Sequence, residues 1–177
     1  TTARHDLLET QPQWGERAAS TRLVLRPLSD GAAAQVVANL IGSAGLPLDV
    51  VDRIVAAAEG NPLYVEQMLS MLIDSHALRR EGDHWVRAEG YGDINVPPTI
   101  KALLEARLDN LARADRATVE PASVIGLEFE RPAIEALAPD AVRPEIGQHL
   151  STLARKHFID LSSTTQAETV YRFHHHL

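Results

Sequence analysis

The sequence predicts a mainly α-helical protein: a three-helix bundle followed by a winged-helix domain with a short β-hairpin wing. Three observations carry this reading. Apolar residues recur at three- and four-residue spacing through most of the chain. Aromatic residues make up only 5% of it, which disfavours a β-sandwich. The last helical pattern is followed by two short strand-like runs joined by a polar turn, the element order of a winged helix.

Composition narrows the class further. The 177 residues hold 45% hydrophobic and 23% charged side chains, enough to bury one large core or two small ones. There is no cysteine, so disulfides and thiolate metal sites are excluded. No apolar run approaches the roughly 18 residues of a membrane span, and the expectation is a soluble, cytoplasmic protein without membrane partners. The net charge of -7 argues against a free-standing nucleic-acid binder, which needs a basic surplus to neutralise phosphates. The chain opens on Thr1-Thr2-Ala3-Arg4 and closes just after an aromatic pattern, so it reads as part of a longer polypeptide.

The elements follow in order. Residues 1–28 hold a short helical stretch at Leu7 and Leu8, a polar loop, and a short strand pattern over 23–25 that Pro27 ends. Residues 29–76 form the bundle. Ser29 is an N-cap for a helix carrying Ala33, Val36, Val37, Leu40 and Ile41. Val51, Ile54, Val55 and Ala58 mark the second helix, and Pro62 opens the third, with Val65, Met68, Leu69 and Leu72 on one face. Residues 77–96 read as a hairpin about Gly82-Asp83 and a linker rich in glycine at Gly90 and Gly92. Trp85 and Tyr91 lie there and are expected to cover a junction between domains.

Residues 97–177 make the winged-helix domain. Pro97-Pro98 opens a helix with Ile100, Leu103, Leu104, Leu108 and Leu111 in repeat. A helix over 113–125 contains Pro121, which is expected to kink or shorten it. A short helix over 131–137 and a longer one over 144–157 lead into the strand runs "FIDLSS" and "TVYRF".

No phosphate loop of the GxxxxGK[ST] kind, no GxSxG elbow and no HExxH occurs, and no acid/base pair or nucleophile can be assigned. The chain by itself is therefore expected not to be an enzyme. The eight histidines show no metal-ligand spacing outside His174-His175-His176. Three contiguous histidines on a strand cannot all face one ion, so no metal site is assigned.

Several segments carry a resemblance in order and register: "LRPLSDGAAAQVVANLIG", "RIVAAAEGNPLYVEQML", "VPPTIKALLEARLDNL", "ASVIGLEFE" and "YRFHHHL". Together they resemble the C-terminal half of the STAND-type ATPase module, related to the NB-ARC switch. That module sits in bacterial LuxR-type transcription regulators and in proteins with adenylate or guanylate cyclase domains. The resemblance implies the end of a nucleotide-binding α/β core over 1–28, a helical lid over 29–76 and a winged helix that serves signalling. ATP or ADP would be bound mainly by an upstream core of the same chain, with none expected on this portion alone. An output domain of the parent is the implied partner.

The same resemblance singles out site residues. The Gly60-Asn61-Pro62 turn would sit against the adenine: glycine permits close backbone approach and proline offers a rigid apolar ring. A helix stop followed by a helix start is the alternative reading of those residues. Arg4 would meet the γ-phosphate through charge-assisted bonds. His175 matches the family histidine whose N–H donates to the β-phosphate of ADP, with a satisfied core histidine as its alternative. The next position, aspartate in the family, is His176.

Two other function classes remain. The stretch "RPEIGQHLSTLARKHF" places Arg143, His149, Arg155, Lys156 and His157 near a helix that would enter a DNA groove in a helix-turn-helix protein. A DNA-binding winged helix would use Arg143, Arg155 and Lys156; a solvated helix face is the bland reading of those charges, and DNA is not the expected partner. A protein-interaction module would instead use the bundle over residues 30–75.

Overall fold

A computed structural model describes residues 7–11, 23–42, 45–88, 96–164 and 169–175. Arg4, Tyr91 and His176 lie outside them. The protein is mainly helical, with two small antiparallel sheets.

A single turn, α1 (Leu7–Thr10), comes first, and α2 (Asp30–Ile41) opens on Ser29, whose Oγ accepts from the Ala32 N–H. α3 (Leu48–Ala58) ends in left-handed backbone at Glu59, and α4 (Pro62–Asp74) starts three residues later with proline in its first turn. The three helices pack on one another through Ala33, Val37, Val50, Ile54, Val65, Met68 and Leu72, all nearly or fully buried. Each of the larger side chains contributes about 1.5–3 kcal/mol by leaving water. The hairpin β1 (Leu78–Glu81) and β2 (His84–Arg87) turns at Gly82, and Trp85 lies half-buried against this same cluster.

α5 (Ile100–Asp109) packs on α4 and joins two cores. Its Leu103 is buried in the first cluster, while Leu108 packs against the second. The second cluster is built by α6 (Arg113–Ile125), β3 (Glu128–Glu130), α7 (Arg131–Leu137), a 3-10 turn (Arg143–Glu145), α8 (Ile146–Arg155), β4 (Ile159–Thr164) and β5 (Thr169–Phe173). Ile134, Ile146, Leu150, Leu153 and Ile159 fill its centre. The sheet order is β3-β5-β4, antiparallel throughout.

Three expectations are corrected. Residues 23–25 form no strand: they pair with none of the described residues, and Leu23 and Leu25 are 82% and 86% exposed. An extended segment without a neighbour cannot close a ladder of hydrogen bonds. The two-stranded hairpin at the C-terminus is a three-stranded sheet, because β3 adds to β5 with Phe129 opposite Tyr171. Pro121 does not shorten α6, which continues to Ile125 with Pro121 inside it.

One charged residue spans the two cores. Arg107, on α5, is 3% exposed. It donates to Gln67 Oε1 and to Asp74 Oδ2 on α4, and to the Lys156 carbonyl after α8, while its guanidinium carbon lies 4.6 Å from the Phe158 ring centroid. Burial draws its pKa down, and the hydrogen bond and charge of Asp74 oppose that. The guanidinium stays charged, since arginine does not lose its proton in proteins. Arg107→Met is expected to destabilise the protein by roughly 2–4 kcal/mol, because Asp74 and the Gln67 carbonyl lose their donor. Urea unfolding measures this; a change no larger than that of the surface variant Arg116→Met would refute the role.

Candidate functional site

The second turn of α4 and the residues after β5 meet. Asn61 caps α4, its Oδ1 accepting from Leu63 N–H at 3.0 Å, and its own N–H donates to the Ala58 carbonyl at 2.8 Å. Asn61 and Pro62 are exposed, whereas Gly60 is buried. Gly60 has a φ of 76°, and a Cβ there would lie 2.5 Å from the Leu28 carbonyl oxygen and 2.8 Å from Pro27 Cβ. Its carbonyl accepts from Leu28 N–H at 2.8 Å. The close backbone approach that glycine permits is thus made with the segment leading into α2. Of the turn, only the Pro62 ring and the Asn61 edge face outward.

One turn further along α4, about 6 Å from Pro62, Glu66 and Gln67 face the residues that follow β5. The strand ends at Phe173 and the chain bends at His174, so strand alternation stops there. His174 and His175 consequently both approach Glu66, where alternation would have sent them to opposite faces. His174 Nδ1 lies 2.5 Å from Asp160 Oδ2 on β4, and its Nε2 lies 3.2 Å from Glu66 Oε1. His175 Nε2 lies 2.8 Å from Gln67 Nε2 and 3.9 Å from Glu66 Oε2. Because Gln67 Oε1 accepts from Arg107, the amide nitrogen donates to His175. His175 is then the neutral tautomer with its proton on Nδ1.

The two rings titrate in opposite senses. Burial pulls His174 down, but hydrogen bonds to Asp160 and Glu66 and their charges outweigh it, leaving its pKa raised. Burial lowers His175 first, and the charges of His174 and Arg107 add to this against the pull of Glu66 and Asp160. Ring centroids of the pair are 4.3 Å apart.

The basic residues of the DNA reading are not gathered. Arg143 is paired with Asp140 at 2.8 Å and donates to the Ala138 carbonyl. It precedes α8, while Arg155, which donates to Thr152 Oγ1, ends it. Ten helical residues separate them by about 15 Å. Lys156 is half-buried beside Arg107. His149 is held by Asp115 at 2.8 Å inside the second core.

Of the candidate residues, Asn61 and Pro62 open α4, His175 contacts Gln67 on the following turn of that helix, and Gly60 has a packing role. Sequence reasoning missed Glu66, Gln67 and Asp160. Glu66 stands 108 residues from His174, and no spacing rule links the two. The best-formed cavity among the described residues, lined by Met71, Asp74, Arg107 and Phe158, has a volume of about 10 Å³, room for a single water. In comparison with known proteins, no family model, no curated protein and no solved structure matches the chain.

Gly60→Ala is expected to lose at least about 2 kcal/mol of stability, from the contact with Leu28 and the left-handed backbone together. Thermal or urea unfolding checks it, and an unchanged midpoint would mean that the Pro27-Leu28 packing is not made. In chelator-treated protein, NMR titration should place His174 above and His175 below the usual imidazole value of about 6.5. The sign follows from linkage: the His174 contribution to stability is full below its unfolded pKa and is lost as pH rises through its raised folded pKa. Glu66→Gln should lower the His174 value; coincident titration of the two rings in the native chain would contradict the described contacts.

Proposed function

We propose that the chain is the regulatory lid and winged-helix portion of a STAND-type signalling ATPase, of a transcription regulator or a cyclase-associated protein. It would close over ADP or ATP bound mainly by a core upstream in the parent polypeptide. The observation that carries this reading is the contact of His175 with Gln67, on the α4 turn that follows the one Pro62 opens. Two chain segments 108 residues apart thereby meet on the helix that Pro62 opens.

Further observations support it. The order α6, β3, α7, α8, β4, β5, closing on a three-stranded antiparallel sheet in the order β3-β5-β4, supports the winged-helix reading. The exposed Leu23 and Leu25 lie where the last strand of an α/β core would continue, and pairing with that core would cover them. Neutral His175 carries its proton on Nδ1, which leaves a donor for a phosphate oxygen. The Pro62 ring would contact adenine, and Arg4 would meet the γ-phosphate. Exchange of ADP for ATP would then shift lid and winged helix relative to the core and release an output domain. Without a phosphate loop, this portion contributes contacts and leverage, and hydrolysis would belong to the core.

Calorimetry with ADP and ATP on this chain and on the chain extended upstream through the core tests the reading. Binding is expected only in the extended chain, and Pro62→Ala or His175→Ala should weaken ADP about tenfold, a loss of about 1.4 kcal/mol. Unchanged ADP affinity in both variants, or no binding by the extended chain, would sink it.

A further inference from the structure

We propose that Glu66, His174 and His175 form a binding site for a divalent transition metal, zinc being the ion their donors fit best. The inference goes beyond the nucleotide reading and does not depend on it. The three residues offer one carboxylate oxygen and two imidazole nitrogens, all within 4.8 Å of one another. A tetrahedral zinc with bonds of about 2.0–2.1 Å needs donors about 3.3 Å apart. Glu66 Oε1 and His174 Nε2 are already 3.2 Å apart, and Glu66 Oε2 is 3.9 Å from His175 Nε2. Small side-chain rotations therefore close the set, with three protein ligands and a fourth position left for water or an exogenous anion.

The surroundings of each donor match that chemistry. Asp160 Oδ2 lies 2.5 Å from His174 Nδ1, which turns Nε2 toward Glu66 and raises its basicity, as a carboxylate behind a metal-bound histidine does. His175 presents an unprotonated Nε2, the form that ligates, and the Gln67 amide occupies that lone pair in the metal-free chain. The ion would have to displace the Gln67 amide. The donors are partly buried, with side-chain exposures of 34%, 23% and 24%, so an ion can enter from solvent yet lose part of its hydration shell. One carboxylate and two imidazoles with nitrogen and oxygen donors suit zinc, cobalt or nickel above magnesium or calcium. Because α4 belongs to the first core and the residues after β5 to the second, the ion would pin the two cores together.

The test is a zinc titration of the chelator-stripped chain against a chromophoric competitor, with visible absorption of the cobalt form. One zinc per chain at submicromolar free metal is expected, with the strong absorption of four- or five-coordinate cobalt and a raised melting temperature. Glu66→Gln, with every histidine retained, should weaken zinc at least about tenfold, and Asp160→Asn should weaken it by a comparable or smaller factor. A melt of each variant without metal establishes that it is folded. If Glu66→Gln does not fold, the native chain still decides: no zinc-dependent rise in melting temperature, or only the weak absorption of octahedral cobalt, overturns the site. Equal zinc affinity in native and Glu66→Gln protein also overturns it, since the contiguous histidines would then bind the ion by themselves.

Discussion

The arrangement of this protein depends on the burial of one guanidinium. Arg107 sits between two apolar clusters, and its cost of leaving water is offset by acceptors that converge on it from α4 and from the residue after α8. Asp74 supplies the counter-charge, the Lys156 carbonyl and the Gln67 amide supply acceptors, and Phe158 offers a π-face. An apolar residue in that place could join the clusters in many ways. A planar fork with fixed directions allows few, so the relative placement of α4, α5 and the end of α8 is specified by hydrogen-bond geometry as well as by packing.

That constraint propagates to the candidate site. With its oxygen taken by Arg107, the Gln67 amide has one orientation, and its nitrogen fixes the tautomer of His175. Glu66, the next residue on α4, meets His174 because Asp160 holds that ring from the opposite side. The polar groups form one connected path from Asp74 through Arg107 and Gln67 to His175, in which the Arg107 Nε alone is buried without an acceptor among the described residues. His175 is therefore positioned by the same residues that hold the two cores together.

α4 is accordingly the hub of both proposals. Its N-terminal turn exposes Pro62, its next turn carries Glu66 and Gln67, and its last turn carries Asp74. A ligand or an ion bound at the first two turns would act on a helix that packs in the first core and makes polar contacts with the residues after β5. Gly60 serves the same helix differently: its missing side chain lets the backbone at Leu28 lie against the turn, fixing where α4 begins.

Much was legible in the sequence alone. Periodic Val, Ile, Leu and Met residues determined α2 through α8 within a few residues, because burial of one face sets a 3.6-residue period whatever the partner is. Ser29 and Pro62 fixed helix starts through local hydrogen bonding and a pre-set φ, and Gly82 fixed the hairpin turn; the Asn61 cap on α4 emerged only in the structure. β3 escaped, since three residues alternating glutamate with phenylalanine form a strand only when β5 lies alongside. Leu23 and Leu25 erred the other way: alternation suggested a strand that no described neighbour completes. His175 was legible as a candidate from its motif, but its partners were not. Glu66, Gln67, Arg107 and Asp160 are ordinary surface-type residues in sequence, and only the tertiary structure gathered them. Their meeting is set by long-range packing of two cores, and that leaves no periodic mark on the chain.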